Sequence, residues 1–282
     1  MPELPEIEVL KRDLEKEVVG RRIKEAEVRP GSNAMRIVSR HGRRKEFQEL
    51  LEGAKVEKVE RSGKLLLLEL DSARVLVVDL GRTGILVKTS ASEEVVTHTH
   101  IVLAFTIGGQ LRLIDTKHTA KVFVAPLDEL QEIIESQPFM IDPLTHQFTW
   151  HYFSQLLEER ASSMKELMSD EKFICGLGDI YSDEVLFAAG LRYDRSSDKL
   201  TSQDVRRLYR ALMEILQDAV KARGTTWGSA QYRDLQGEPG TFQLELKVYE
   251  REGEPCRRCR QDIVKEKWSG NRITYFCPQC QT

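Results

Sequence analysis

The chain has 282 residues, of which 40% are hydrophobic and 31% charged, and its formal net charge at pH 7 is −3. This length allows two domains with a sizeable core, and the composition is typical of a globular protein rather than a disordered or fibrous one. We find no apolar run near ~18 residues and no charged-then-apolar leader, so we expect neither a membrane span nor a secretion signal. The net charge disfavours a nucleic-acid partner unless basic residues are clustered locally.

The first six residues, Met-Pro-Glu-Leu-Pro-Glu, allow two interpretations. Removal of Met1 would leave Pro2 as a free secondary amine, and because an α-amino group has a pKa near ~8, part of it is unprotonated at neutral pH. Such an amine can attack an electrophilic carbon and form a Schiff base, with Glu3 within reach to move protons. The alternative is a plain helix start, in which proline and acidic residues are favoured.

A helix is predicted over residues 5–19, where apolar residues recur every three or four positions before Gly20. A strand is predicted around Ile23–Arg29. The segment from Arg29 to Lys45 then contains six basic residues and no acidic one, so it is either a solvated loop or an arm that faces phosphates. The helix positions are Ile7, Leu10, Leu14 and Val18, and the basic residues are Arg29, Arg36, Arg40, Arg43, Arg44 and Lys45.

Residues 55–125 contain many short β-rich runs separated by glycine, serine or aspartate. Short strands at such close spacing predict a two-sheet β-sandwich or a barrel. The runs are Val56–Glu60, Leu65–Leu70, Val75–Leu80, Ile85–Val87, His100–Phe105, Leu111–Ile114 and Val122–Val124.

Three prolines mark a change of composition at 126–146, and the pattern after it is helical. Helices are predicted over 147–159, 163–170, 181–189 and 201–222, the last capped by Thr201. A Gly-, Thr- and Ser-rich loop follows at 224–240, and two short strand-like pieces bracket the terminal cysteines. We therefore predict an N-terminal β-rich domain over 1–128, a linker over 129–146, a helical domain with its loop over 147–240 and a cysteine-rich module over 241–282.

Four of the five cysteines lie in the last 27 residues as two Cys-x-x-Cys pairs separated by 17 residues. Each pair offers two thiolates from one tight turn, so the two turns complete the tetrahedral site of a zinc ribbon. We expect one structural Zn²⁺ held by Cys256, Cys259, Cys277 and Cys280, in a reducing compartment. Cys175 stands apart and is predicted to be a small buried apolar residue.

Two other stretches can bind anions. The interval 257–274, which begins inside the first cysteine pair, contains six basic residues, which are either solvated surface charge or phosphate contacts. The sequence Gly176-Leu-Gly178 precedes a predicted helix, where backbone N–H groups and the helix dipole favour an anion, although this stretch alone is better explained by a tight turn between helices. The basic residues are Arg257, Arg258, Arg260, Lys265, Lys267 and Arg272.

Taken together, these motifs resemble the formamidopyrimidine-DNA glycosylase/endonuclease VIII family of base-excision repair enzymes. The matching pieces follow the family's order over nearly the whole chain. The resemblance implies a β-sandwich opened by a helix, then a helix–two-turns–helix domain with a zinc ribbon, with damaged duplex DNA in the cleft between them. The pieces are Pro2-Glu-Leu-Pro-Glu6, Ser62-Gly-Lys64, Leu80-Gly-Arg-Thr-Gly84, His98-Thr-His100, Gly176-Leu-Gly-Asp-Ile-Tyr181 and the terminal zinc ribbon.

The resemblance also implies roles for individual residues. Pro2 would be the nucleophile that attacks C1′ of the damaged nucleotide, Glu3 the general acid and base, and Glu6 a residue that orders the site. Lys64 and Arg272 would bind the phosphate near the lesion. Base flipping and strand cleavage by β,δ-elimination are implied as well. Further DNA contacts would come from His98, His100, Gly178, Asp179 and Lys165.

This sequence departs from the family pattern where the flipped base leaves a hole and beside the phosphate turn. Arg82 stands where formamidopyrimidine-type enzymes have a methionine wedge. Lys117 and His118 occupy the loop that otherwise reads Arg-Arg-Phe-Gly. These three residues are our candidates for filling the hole. Asp179 replaces an asparagine, and a carboxylate repels phosphate, so that contact is in question.

The long 224–240 loop resembles that of members that cover 8-oxoguanine, which favours oxidised purines. We therefore predict a monomeric, cytoplasmic, bifunctional DNA glycosylase and abasic-site lyase that needs one Zn²⁺ and no membrane. One alternative is an enzyme for oxidised pyrimidines. Another is a lesion- or abasic-site-binding protein with impaired base excision, which the replaced wedge residues and Asp179 would explain.

Overall fold

A computed structural model describes residues 2–31, 33–228 and 232–282. The chain divides into two compact units, Met1–Gln137 with Ala222–Thr241 and Pro138–Lys221 with Phe242–Thr282. This division differs from the predicted domains, since it splits the predicted linker over 129–146 after residue 137 and places the cysteine-rich module with the helices. The loop after residue 221 belongs to the first unit rather than to the helical domain, because its buried contacts are with the N-terminal helix.

The first unit contains two four-stranded antiparallel sheets, with strand orders β1-β6-β7-β5 and β2-β3-β4-β8. Apolar residues of both sheets share one core between them, so the predicted two-sheet sandwich is confirmed. The strands are β1 (Ile23–Val28), β2 (Val56–Ser62), β3 (Leu65–Leu70), β4 (Arg74–Asp79), β5 (Gly84–Thr89), β6 (Thr99–Phe105), β7 (Gln110–Asp115) and β8 (Lys121–Pro126).

The run of leucines in β3 is apolar at consecutive positions because both faces of this sheet are covered. Successive side chains of a strand point to opposite faces. Leu66 and Leu68 join the core between the sheets, whereas Leu65 and Leu67 pack with Ile133 of the short helix α4 (Leu130–Glu135) on the outer face.

The opening helix α1 (Leu4–Val18) packs one face into the core of the sandwich. Its predicted apolar positions Ile7, Leu10, Leu14 and Val18 are all at most 1% exposed. The basic segment folds into two short helices, α2 (Ala34–Ile37) and α3 (Arg44–Leu51), which bury Ile37 and Phe47 and leave most of the basic side chains exposed. It is therefore more ordered than a solvated loop.

The second unit contains α5 (Trp150–Glu158), α6 (Met164–Met168), α7 (Asp179–Ala189) and α8 (Ser202–Lys221). Thr201 caps α8 as predicted, since its hydroxyl accepts the N–H of Asp204 and its own N–H donates to the Asp204 carboxylate. The terminal hairpin, β9 (Val264–Ser269) with β10 (Arg272–Phe276), lies between the two cysteine pairs instead of bracketing them. Among the described residues, none of the helices combines the length and apolar character needed to cross a membrane.

A buried polar cluster joins three segments of the second unit. The Lys165 ammonium donates to Asp183 at 2.6 Å and to the Ser182 hydroxyl at 2.7 Å, and both charged side chains are at most 1% exposed. Asp183 also accepts from the Thr274 hydroxyl and, at 2.9 Å, from the Tyr275 N–H. Burial raises the pKa of Asp183, and the hydrogen bonds with the Lys165 charge oppose that rise. The cluster fastens β10 to α7.

We expect Asp183→Asn to destabilise this unit by about 3–5 kcal/mol, because it leaves the buried Lys165 charge without a counter-charge. Asp194→Asn is the matched control, since Asp194 is 49% exposed in a surface ion pair with Arg192, and such pairs contribute about 0–1 kcal/mol. The measurement is urea unfolding followed by tryptophan fluorescence, to which Trp150 and Trp268 of this unit contribute. Equal stability of the two variants would contradict this role of the cluster.

Candidate active site and zinc centre

The N-terminal segment is held inside the first unit. Pro2 is buried, and Glu3, the residue that precedes α1, is 7% exposed. The Glu3 N–H donates to Oε2 of Glu6 at 2.8 Å, one helical turn further on. Met1, whose removal the sequence analysis invoked, lies outside the described residues. The predicted nucleophile and its acid/base partner are thus adjacent and anchored by one buried carboxylate.

The loop that follows α8 is tied to α1 at two points. Oε1 of Glu6 accepts the Thr225 N–H at 2.8 Å. Arg223 pairs with Asp13 of α1 and, at 2.7 Å, with Asp234 of the loop itself. Hydrogen bonds to these carboxylates raise the pKa of Arg223, so it is permanently charged. Sequence reasoning missed Asp13, Arg223 and Asp234, although charged residues in a Gly-rich loop were a visible signal. Residues 229–231 of this loop lie outside the described residues.

Lys64 lies in the tight turn between β2 and β3 and is half-buried. The neighbouring Arg61 fixes this turn, since it donates to the Gly63 carbonyl at 2.7 Å and to Glu8 of α1 at 2.9 Å. Arg61 is only 4% exposed. The turn that carries Lys64 is therefore fastened to the same helix that begins beside Glu3, and Arg61 is a further residue that the sequence analysis missed.

Arg82 and Lys117 are exposed on two turns that hold each other in place. The Thr119 hydroxyl accepts the N–H of Arg82 at 2.9 Å and that of Thr83 at 3.3 Å. Asp115, fully buried, accepts the Thr83 hydroxyl and the backbone N–H groups of residues 117, 119 and 120. Burial raises the pKa of the Asp115 carboxyl, but these hydrogen bonds outweigh it and leave the pKa below its ordinary value. Arg82 and Lys117 are thus carried by two turns, at residues 81–83 and 116–119, whose backbones are held in place before any ligand binds. We call this pair of turns the tip.

The predicted histidines gather beside this tip. The rings of His100 and His118 are 4.8 Å apart, and those of His98 and His118 are 6.3 Å apart. Nε2 of His100 lies 2.9 Å from the Asp115 carbonyl oxygen. All three histidines, together with Arg29, line a cavity of about 440 Å³. The structure thus brings His98, His100 and His118 together, and joins to them the first residue of the basic segment.

In the second unit, Gly178 precedes α7 and Asp179 begins it. Arg272, at the start of β10, donates to the Asp179 carboxylate at 3.2 Å, and both side chains are about half exposed. The Arg272 guanidinium also stacks over the Trp268 ring, 4.5 Å from its centre. Arg272, a predicted phosphate ligand, is therefore paired in this structure with Asp179, the residue whose phosphate contact was in question.

Lys165 does not fit the prediction of a direct DNA contact. Its side chain is fully buried, and its ammonium donates to the Asp179 carbonyl at 3.2 Å in addition to Ser182 and Asp183. An ammonium has three N–H donors, so these partners occupy all of them. We assign Lys165 to the support of α7 rather than to the DNA-facing surface.

The four cysteines converge as predicted. Their sulfur atoms all lie within 4.8 Å of one another, and the ligand chemistry is that of a Cys₄ zinc site. Burial raises the pKa of the Cys256 thiol, but N–H groups of Cys259 and Arg258 lower it by more, to about 7. Phe187 of α7 packs against the cysteines, and its carbonyl accepts from Arg258 at 2.9 Å.

Comparison with known proteins agrees with this arrangement. Three family descriptions match in order: the formamidopyrimidine-DNA glycosylase N-terminal domain over residues 1–122, its H2TH domain over 139–230, and the zinc finger found in FPG and IleRS over 253–282. The formamidopyrimidine-DNA glycosylase of Pelotomaculum thermopropionicum is 36% identical over 281 residues, covering 100% of this chain and 99% of the relative. This chain belongs to the formamidopyrimidine-DNA glycosylase family. It is therefore a DNA glycosylase.

Other family members support the assignment over the whole length. The Bacillus licheniformis formamidopyrimidine-DNA glycosylase is 36% identical over 282 residues, covering 100% of this chain and 99% of its own. A Lactococcus lactis Fpg in complex with abasic-site DNA superposes with a TM-score of 0.88 at 29% identity, covering 99% of both chains. Fpg from Thermus thermophilus gives 0.83 at 34% identity, covering 99% and 98%. The predicted fold and the single structural zinc ion are confirmed.

We expect chelation of the zinc, or Cys280→Ser, to unfold the β9–β10 hairpin, because a structural zinc ion supplies on the order of 10 kcal/mol of folding free energy. Zinc content by elemental analysis should fall from one ion per chain, and the amides of β10 should lose their protection from hydrogen exchange. Cys175→Ser is the control, since Cys175 lies outside the four-cysteine cluster. Unchanged zinc content in Cys280→Ser would contradict the ligand set.

Proposed function

We propose that this family member is a bifunctional DNA glycosylase and abasic-site lyase that acts on oxidised purines in duplex DNA. The observation that carries the proposal is the buried Pro2–Glu3 pair, held at the start of α1 by Glu6. An amine at this position, once it is the chain terminus, is a nucleophile that needs no further side chain to create it.

In the proposed reaction the Pro2 nitrogen forms a bond to C1′, and the bond from C1′ to the base nitrogen breaks. Glu3 protonates the deoxyribose ring oxygen as the ring opens, and the departing base takes up a proton. The resulting iminium draws electrons from C2′, so loss of a C2′ proton expels the 3′-phosphate in a β-elimination. A second elimination expels the 5′-phosphate, and water then hydrolyses the iminium to restore the amine.

The DNA would be held through its phosphates by charged residues of both units. Lys64, on the turn that Arg61 braces, and Arg272, stacked on Trp268, are the proposed phosphate ligands. Gly178, which precedes α7, is proposed to lie beside a phosphate at the N-terminus of that helix. His98 and His100, on the cavity that Arg29 also lines, are proposed to contact the backbone as well.

The base must leave the stack before Pro2 can reach C1′. We propose that Arg82, Lys117 and His118 fill the space that it leaves. Their support is the tip itself, because the hydroxyl of Thr119 and the carboxylate of Asp115 order the backbone that carries them. A rigid support lowers the entropy lost when these side chains enter the duplex.

Oxidised purines are proposed as substrates because the chain has a long loop over residues 222–241. The Lactococcus lactis Fpg structures include complexes with Fapy-dG DNA and with DNA containing an oxidised pyrimidine, so both lesion types belong in the assay. We further propose that the enzyme acts as a monomer in a reducing compartment, where the four zinc thiolates stay reduced.

We expect borohydride to trap a covalent adduct between the protein and duplexes that contain 8-oxoguanine or an abasic site, using protein shown by mass spectrometry to begin at Pro2. Peptide mapping should place the adduct on the N-terminal peptide. Glu3→Gln should slow base excision by about 10²–10⁴-fold, because general acid–base catalysis contributes that much.

A protein with one acetylated residue added before Pro2 serves as the control, because it has no terminal amine and an amide nitrogen cannot form the Schiff base. Trapping that persists in that protein, or an adduct on a lysine peptide, would disprove Pro2 as nucleophile. If only abasic-site DNA is trapped, the proposed lyase activity stands. The proposed excision of 8-oxoguanine is then wrong. Faster trapping with an oxidised pyrimidine would reassign the substrate class.

We expect Asp179→Asn to tighten binding to abasic-site DNA by about 3–10-fold. The Asp179 carboxylate pairs with Arg272 and so competes with the DNA phosphate for it. The carboxylate also repels that phosphate, and two unit charges in contact in water interact by about 1 kcal/mol. Binding is measured by fluorescence anisotropy at several salt concentrations. Asp194→Asn removes the same charge from an equally exposed ion pair and serves as the control. Equal affinities of the two variants, or no gain, would contradict the role of Asp179.

A further inference from the structure

Glu6 is the point at which two distant parts of the chain meet. Its carboxylate is 3% exposed and accepts one backbone N–H on each oxygen, from Glu3 on Oε2 and from Thr225 on Oε1, both at 2.8 Å. A buried carboxylate is costly unless such donors satisfy it. A single buried carboxylate therefore links the N-terminal segment to the loop that follows α8.

Gly224 packs directly against that carboxylate. Its φ is +83°, and a Cβ added there would lie 2.8 Å from Oε1 and 2.9 Å from Cγ of Glu6. Real Cβ atoms do not approach this closely, so any side chain at position 224 must displace Glu6. The backbone of the loop thus acts as one wall of the Glu6 site.

Tyr232 forms a second wall. It is 5% exposed, and its ring lies 3.0 Å from the Cβ position of Gly224. Burial, followed by the charge of Glu6, raises the pKa of the Tyr232 phenol far above its ordinary value. The phenol is therefore neutral and adds no charge repulsion against Glu6, and its hydroxyl has no hydrogen-bond partner among the described residues.

A separate ion pair keeps the loop in register with α1. Arg223 contacts Asp13, which lies two helical turns beyond Glu6, and also Asp234 on the far side of the loop. Asp234 in turn accepts the N–H groups of Gln236 and Glu238. The loop over 222–241 and the first three turns of α1 are consequently joined at two places.

We propose that Glu6 is a positioning residue through which the loop over 222–241 sets the location of the Pro2 amine. The inference rests on the proposed function of Pro2 and extends it, since it gives the loop a role even when no damaged base is present. Movement of Gly224 and Thr225 would shift the Glu6 carboxylate, the Glu3 N–H that it accepts, and with it the adjoining nucleophile. Displacements of about 1 Å at a reacting group can cost about 10²-fold in rate.

Gly224→Ala tests this, because the substitution is made in the loop and the readout is at the nucleophile. We expect single-turnover borohydride trapping on abasic-site DNA, which has no base for the loop to hold, to slow by about 10²-fold. Gly20→Ala is the matched control. Gly20 has a φ of +82°, and its added Cβ would meet no atom within 4 Å, so it carries the same backbone strain without touching Glu6 and should trap within about twofold of the wild-type rate.

A second readout needs neither DNA nor catalysis. In Gly224→Ala, hydrogen exchange of the Glu3 amide, followed by NMR, should accelerate at least about tenfold, because an N–H that loses its acceptor loses protection. In Gly20→Ala it should stay unchanged. If Pro2 is not the nucleophile, the wild-type protein gives no adduct on its N-terminal peptide, whereas the exchange comparison still reports on the coupling alone.

Two outcomes would overturn the inference. One is an unchanged Glu3 exchange rate and unchanged abasic-site trapping in folded Gly224→Ala. The other is an equal loss of trapping in Gly237→Ala, whose φ is also +83° and whose added Cβ meets no atom within 4 Å. That result would mean that strain in the loop, rather than displacement of Glu6, slows the reaction.

Discussion

Buried carboxylates that accept backbone N–H groups organise several of the functional segments of this protein. Each such group must have its lone pairs filled, since an unpaired buried charge costs several kcal/mol (about 3–5 when one partner is removed). Glu6 holds the N-terminal segment and the loop, and Asp115 holds the tip that carries Lys117 and His118. Glu184 accepts the N–H groups of residues 247–249, just before the zinc module. In these loops the buried carboxylates act together with a few core residues, such as Tyr232 and Leu235 of the loop over 222–241.

Buried carboxylates that accept backbone N–H groups occur in both units, with different consequences. In the first unit the acids bond mainly to backbone, so they set the path of the main chain. In the second, Asp183 also meets a fully buried lysine, which makes the cluster sensitive to loss of either charge. The hairpin that carries Arg272 is fastened to α7 through this cluster, and the zinc site closes its other end. The buried Lys165–Asp183 cluster and the zinc site therefore both fix the hairpin that carries Arg272.

The sequence predicted the elements better than their mutual arrangement. Periodicity located α1, α8 and all eight strands of the sandwich to within about two residues, because burial of one face leaves a direct trace in the pattern. The cysteine spacing likewise specified its cluster. It did not show that the loop over 222–241 belongs to the first unit, since that depends on Arg223 and Asp13 meeting across 210 positions. Lys165 was misassigned because burial of a lysine depends on a partner, Asp183, that spacing alone does not identify.

The clamp between the two turns of the tip has a consequence for how this protein can evolve. The hydroxyl of Thr119 satisfies the amides of Arg82 and Thr83, and an added Cβ on Gly81 would collide with the Thr119 backbone. The residues acceptable at positions 81–83 therefore depend on the residue at position 119. A lineage that replaces the threonine by a residue without a hydroxyl must also re-form the neighbouring turn, so substitutions here are expected to arise together rather than singly.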